Sequence, residues 1–224
     1  VRTYDTESGS TRVRASGLRQ PAGVSVGPQG ALAVAETGAG RVLALEADDT
    51  VTVLAEGLEH PVDVAHDAAG RCYVSDDRLG AVLRIEDGHA VTLADGLEAP
   101  QGLAVLGDEV FTVETGARRL LALSLTTGER RTDAENLAVG PPPGTGHRTQ
   151  PALFTHGMPG VPVPFAGLSA APDGSLLLSA NGEGTVLRLS PRNTGAPRNT
   201  EVPRNTEAAR ADPRTQRTTE RQKS

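Results

Sequence analysis

The chain has 224 residues, a net charge of −6 and 37% hydrophobic residues, but only 2% aromatic ones and no Trp. That length holds one sizeable domain or one and a half, and the acidic balance argues against nucleic acid or an anionic membrane surface as the main partner. The single cysteine, Cys72, excludes an internal disulfide and reads as a small buried residue in the strand-like run RCYVS. No run approaches the ~20 apolar residues of a membrane helix. No basic segment followed by an apolar core is visible at the N-terminus. Because the chain opens on Val1, a removed leader or a larger parent is left open, and the compartment reads as cytoplasmic or secreted.

Residues 1–16 look like the tail of a repeat, since TYDTESGSTRVRASGL matches ALSLTTGERRTDAENL further on. They are expected to form a partial blade or to supply a closing strand. Three full copies follow at 17–56, 57–95 and 96–135, and a shorter one at 164–190. Pro21, Pro61 and Pro100 mark one place in three copies, 40 and 39 residues apart. A period near 40 signals a repeat architecture. Each copy alternates short apolar runs with Gly, Pro or Asp turns, so each reads as four strands. Four-stranded units of this size are propeller blades. The expected fold is an all-β propeller over 17–190, with strands near 22–26, 31–36, 41–46 and 50–55 in the first copy. The second and third copies give 62–66, 71–76, 81–86, 89–94 and 102–106, 109–114, 119–125, 129–134. The fourth offers three, near 167–171, 175–180 and 185–190. If the ring closes on itself, residues 11–15 are expected to pair with the last of these; otherwise they stay at an edge.

A long loop insertion, 136–164, separates the third and fourth copies and contains Pro141, Pro142 and Pro143, which disfavour ladder bonds. His147, His156, Phe154 and Met158 lie in it, and a lid over a ligand is one reading of them. From 191 to 224 the unit PRNT recurs three times with almost no large apolar residue. Such a tail is expected to be disordered.

The strings PAGVSV, ALAVAETGAGRVLAL, PQGLAV, VFTVETGARRLLAL and SANGEGTVLRL resemble the NHL-repeat propellers. They also resemble the related senescence-marker-protein and gluconolactonase propellers. The resemblance implies a ring of about six blades, of which this chain shows about four. It implies either a binding scaffold or a metal-dependent lactone hydrolase, since propellers host both.

Strand alternation puts each link into a blade, and each turn between second and third strands, on one face. Glu36–Thr37, Asp76–Asp77–Arg78, Glu114–Thr115 and Asn181–Glu183 share it. One reading is an acidic rim that takes calcium, zinc or a polyhydroxy ligand through oxygen atoms. The other is repeated turn chemistry, with each carboxylate bonding nearby backbone N–H groups. The lactonase resemblance implies metal-binding Asn or Asp just after the blade-opening proline. The matching residues are Ala22, Val62, Gln101 and Ala166, with Asp63 one place further on. The candidate ligand-binding face is therefore Asp63, Gln101, Glu36, Asp76, Glu114, Asn181 and His156. His60, His66 and His89 form no metal-binding spacing, and no nucleophile elbow or phosphate loop occurs. The expected function is a monomeric scaffold presenting this face to a small molecule or a protein, with a gluconolactonase-like hydrolase as the alternative.

Overall fold

A computed structural model describes residues 1–140 and 165–190. The expectations for the insertion from 141 onward and for the tail, His147 and His156 included, lie outside the described residues. Within them the chain is built from seventeen strands and one short 3-10 turn, Thr37–Ala39. No helix there is long and apolar enough to cross a membrane.

The strands form a β-propeller arrangement of antiparallel sheets. β1 (Arg2–Tyr4) and β2 (Thr11–Val13) make a hairpin. Blade A holds β3 (Pro21–Val26), β4 (Leu32–Glu36), β5 (Arg41–Leu45) and β6 (Val51–Glu56) in that order. Blade B holds β7 (Pro61–His66), β8 (Cys72–Asp76), β9 (Ala81–Glu86) and β10 (His89–Ala94). Blade C holds β11 (Pro100–Leu106), β12 (Glu109–Glu114), β13 (Arg119–Ser124) and β14 (Arg130–Ala134). Sheet D has three strands, β15 (Leu168–Ala170), β16 (Leu176–Ala180) and β17 (Thr185–Leu189).

First strands stand side by side, β3 against β7, β7 against β11 and β11 against β15. They carry no bulky aromatics and lie close enough that glycine is needed. A Cβ on Gly102 would come within 2.5 Å of the Ala166 carbonyl oxygen. Each of β3, β7 and β11 shifts register just after its opening proline, between Pro21 and Val24, Pro61 and Asp63, and Pro100 and Leu103. Proline lacks the N–H a regular ladder needs, and the irregularity re-aims the next side chain.

Side chains of neighbouring blades meet face to face. Ala35, Val42, Leu58, Val64 and Val74 fill the A–B gap. Tyr73, Leu97, Leu103 and Leu121 fill the B–C gap, and Phe111, Leu120, Leu137 and Leu178 the C–D gap. Each fully buried Leu or Phe contributes roughly 1.5–3 kcal/mol. The recurring leucine after the link turn, Leu58, Leu97 or Leu137, joins packing to backbone. Its N–H donates to the carbonyl of Gly40 (3.0 Å), Gly80 (2.9 Å) or Arg118 (2.9 Å) at the turn after the second strand.

β2 pairs with β1, Arg2 opposite Val13 and Tyr4 opposite Thr11. Arg14 Nε donates to Asp49 Oδ1 at 2.8 Å, and Arg12 pairs with the same carboxylate, tying the hairpin to the β5–β6 turn. Among the described residues β17 pairs only with β16. The pairing of residues 11–15 with the last strand, expected of a closed ring, is not the one formed. Val24 and Val26 of β3 remain 58% and 67% exposed on blade A.

Candidate functional site

The link face is organised by the acid that ends each second strand. Glu36, Asp76 and Glu114 occupy the same register position, opposite Pro21, Pro61 and Pro100. All three are buried, so they do not form the open rim that was one reading of them. Glu36 Oε1 accepts the Arg19 N–H at 2.6 Å, and Oε2 pairs with Arg41 Nε at 2.5 Å. Burial by itself would raise its carboxyl, but the Arg19 N–H and the Arg41 guanidinium outweigh that and hold it below the usual range. Glu114 repeats the scheme: Oε1 accepts the Glu98 N–H at 2.9 Å, and Arg119 forks onto both oxygens. The geometry is turn chemistry repeated, carboxylate to link backbone and to the first arginine of the third strand.

Blade B departs from this. Its acid is the shorter Asp76, and the arginine position is Ala81. Asp76 Oδ2 accepts the N–H groups of Glu59 (2.8 Å) and His60 (2.9 Å), and Oδ1 those of Arg78 (3.2 Å) and Leu79 (2.9 Å). One carboxylate thus joins the link before β7 to the turn after β8. Across that joint His60 Nδ1 lies 2.6 Å from Asp77 Oδ1. In blades A and C the residues matching Asp77 are Thr37 and Thr115, whose hydroxyls donate to backbone carbonyls of Pro61 and Ala99.

Asp63 is the second departure. Blades A, C and sheet D have Gly23, Gly102 and Gly167 there. The Asp63 carboxylate is wedged between first strands: a Cβ on Gly23 would lie 2.3 Å from its Oδ1. Oδ1 accepts the Val64 N–H and Oδ2 the Leu103 N–H, both at 2.9 Å. Burial pushes its carboxyl up from 3.8 to about 6, against those two hydrogen bonds. Gln101 is also buried; its Oε1 accepts the Ala166 N–H at 2.8 Å. Asn181 Oδ1 accepts the Gly140 N–H at 2.8 Å, fastening the start of the insertion to the turn after β16.

The candidate residues that lie within the described chain, Glu36, Asp63, Asp76, Gln101, Glu114 and Asn181, are therefore brought to one face and one set of first strands, but not into one cluster. Among the described residues no three His, Cys, Asp or Glu side chains group as a cation site would require. The His60–Asp77 pair is one that sequence spacing does not announce. Its signal was the string DDRLGA, standing where the other blades have ETGAGR and ETGARR.

On the opposite face a cleft of about 600 Å³ opens between blades A and B, lined by Glu46, His66, Arg71, Cys72 and Glu86 among others. His66 Nδ1 sits 3.0 Å from Ser25 Oγ, and burial lowers its ring's proton affinity. Burial likewise pushes the Cys72 thiol up to about 12, which makes it inert at neutral pH.

No family model and no curated protein matches the chain. Solved structures do. A streptogramin B lyase superposes with a TM-score of 0.56 at 14% identity, over 84% of this chain and 60% of that one. A gluconolactonase from Xanthomonas campestris gives 0.57 at 21% identity, over 83% and 66%. A chain of a nidogen/laminin complex gives 0.57 at 16% identity, over 84% and 70%. The fold is that of these propellers. The chain spans about 60% of the length of the lyase. At such identities the likeness shows fold alone, and the three neighbours differ in what they do.

Proposed function

We propose that the chain is an NHL-like propeller scaffold that presents its link face to a small ligand or a protein. The observation that carries this reading is the fate of the second-strand acids. Glu36, Asp76 and Glu114 turn inward and fasten each link to the neighbouring turn. Their charge is thereby consumed in holding a rigid frame, and the loops of that frame are what a partner meets. A propeller neighbour in a nidogen/laminin complex supports a scaffold role by analogy.

The second reading, a metal-dependent lactone hydrolase, draws support from gluconolactonases among the solved neighbours. A lactonase of this kind needs oxygen ligands converging on a calcium or zinc ion. The donor set does not fit. Gln101 Oε1 and both Asp63 oxygens already accept backbone N–H groups, and Ala22, Val62 and Ala166 have no donor atom.

The test is a pair of measurements on the full chain. Gluconolactone with added calcium, zinc or manganese is expected to hydrolyse at its spontaneous rate. Small molecules that raise Tm in a thermal-shift screen are expected to perturb amide signals of the links and second turns, not of the opposite face. Metal-dependent turnover above the spontaneous rate, abolished by Gln101→Ala or Asp63→Ala, would establish the hydrolase instead.

A further inference from the structure

We infer that His60, held by Asp77, is a hydrogen-bond-accepting binding site on the link face for a hydroxyl- or amide-bearing small molecule. The inference rests on the link face being the ligand-presenting one and goes further by naming the atom that meets the ligand.

Four observations converge. The Nδ1···Oδ1 separation of 2.6 Å is that of a strong, charge-assisted hydrogen bond. A carboxylate only accepts, so in the neutral ring Nδ1 carries the proton and Nε2 carries the lone pair. Nε2 meets no partner among the described residues, and 30% of the His60 side chain remains open to solvent. Finally, the pair spans two segments that buried Asp76 clamps through four backbone N–H groups. That clamp presets the distance between His60 and Asp77 before any ligand arrives.

The repeat itself argues that this is a purpose-built departure. Blades A and C reach a stable link with a Glu–Arg pair and a threonine. Blade B has replaced both, with Asp76–Ala81 and Asp77, and placed a histidine beside the blade-opening proline. A neutral imidazole with a fixed tautomer accepts a hydrogen bond at Nε2 from a hydroxyl or amide. Asp77 is the positioning residue; His60 is the one that touches the ligand.

Two readouts on the whole protein test this. Long-range 1H–15N spectra at neutral pH are expected to show His60 in the Nδ1–H tautomer, and Asp77→Asn is expected to shift it toward Nε2–H. Diethyl pyrocarbonate is the chemical probe. The Nε2 lone pair attacks a carbonyl carbon of the reagent, ethyl carbonate leaves, and the Nδ1 proton passes to Asp77 and then to water. His60 is expected to react at least about as fast as exposed His89, and several-fold more slowly in Asp77→Asn. An Nε2–H tautomer in the unaltered protein, or His60 reacting more slowly than His89, would overturn the inference while leaving the scaffold reading intact. The tautomer measurement needs no variant, so a misfolded Asp77→Asn cannot obscure the answer. Ligand-induced shifts that bypass His60 on the same face would separate the two readings from the other side.

Discussion

Blade B and its neighbours A and C solve one problem in two ways. The described links before β3, β7 and β11 carry backbone N–H groups into part-buried joints between strands, and an N–H left unpaired there is costly. Blades A and C answer with a glutamate long enough to reach one link N–H and an arginine that neutralises it. Blade B answers with an aspartate that takes four N–H groups and no arginine at all. The difference teaches that stability and function load a repeat unevenly. Where a carboxylate is neutralised by a partly exposed arginine, the blade is generic. Where backbone dipoles carry that burden, adjacent side chains are released for other work, and His60 and Asp77 occupy the space.

The comparison breaks most sharply at Asp76. Asp76→Ala leaves four N–H groups of the link and turn without an acceptor. At roughly 1 kcal/mol each, after partial rescue by water, the loss of unfolding free energy is expected to be about 4 kcal/mol. Urea denaturation followed by circular dichroism measures it, and a loss below about 1 kcal/mol would show that the clamp is dispensable.

Asp63 gives the next largest effect, and it depends on pH. Its folded pKa of about 6 lies above the ordinary 3.8. A raised folded pKa contributes stability that is fully present below the unfolded value and is lost as pH rises through the folded one. The unaltered protein is therefore expected to lose up to about 3 kcal/mol relative to Asp63→Gly between pH 4 and pH 7, two pK units at 1.36 kcal/mol each. Glycine is the apt replacement because the other units carry it there. A difference that stays flat across this window would mean that the Val64 and Leu103 N–H groups fully offset burial.

The smallest effect sharpens the contrast from the generic side. Arg41 is about one-third exposed and its partner Glu36 keeps the Arg19 N–H. Arg41→Ala is expected to cost only about 0.5–1 kcal/mol, after solvent screening. Added salt should shrink even that, while the Asp76 effect should hardly respond to salt, since N–H dipoles inside the fold are poorly screened.

Much of this is legible in the sequence alone. The recurring blade-opening prolines Pro21, Pro61 and Pro100, the 40-residue period and the turn glycines name the blades because each reports a local requirement. Gly30 and Gly70 adopt φ of 82° and 83° in matching turns, which other residues rarely do. Strand limits agree to within about two residues, as alternation and turns dictate. The face shared by Glu36, Asp76 and Glu114 also followed, because strand direction alone settles it.

What the local pattern does not encode is where a side chain ends up once blades pack. An acid at a strand end reads equally as a rim ligand or a buried fastener; only the neighbouring link, seventeen residues earlier in the case of Glu36 and Arg19, decides between them. Asp63 looked out of phase with a metal position, and the fold shows why it is there at all: it fills the gap between first strands opposite Gly23 and reaches Leu103, forty residues away. His60 and Asp77 lie seventeen residues apart and share no spacing rule. Sequence by itself determined the blades, their order and their faces, because those depend on near neighbours. Tertiary structure alone decided which carboxylates are occupied and which imidazole is open, because hydrogen bonds between distant segments settle that.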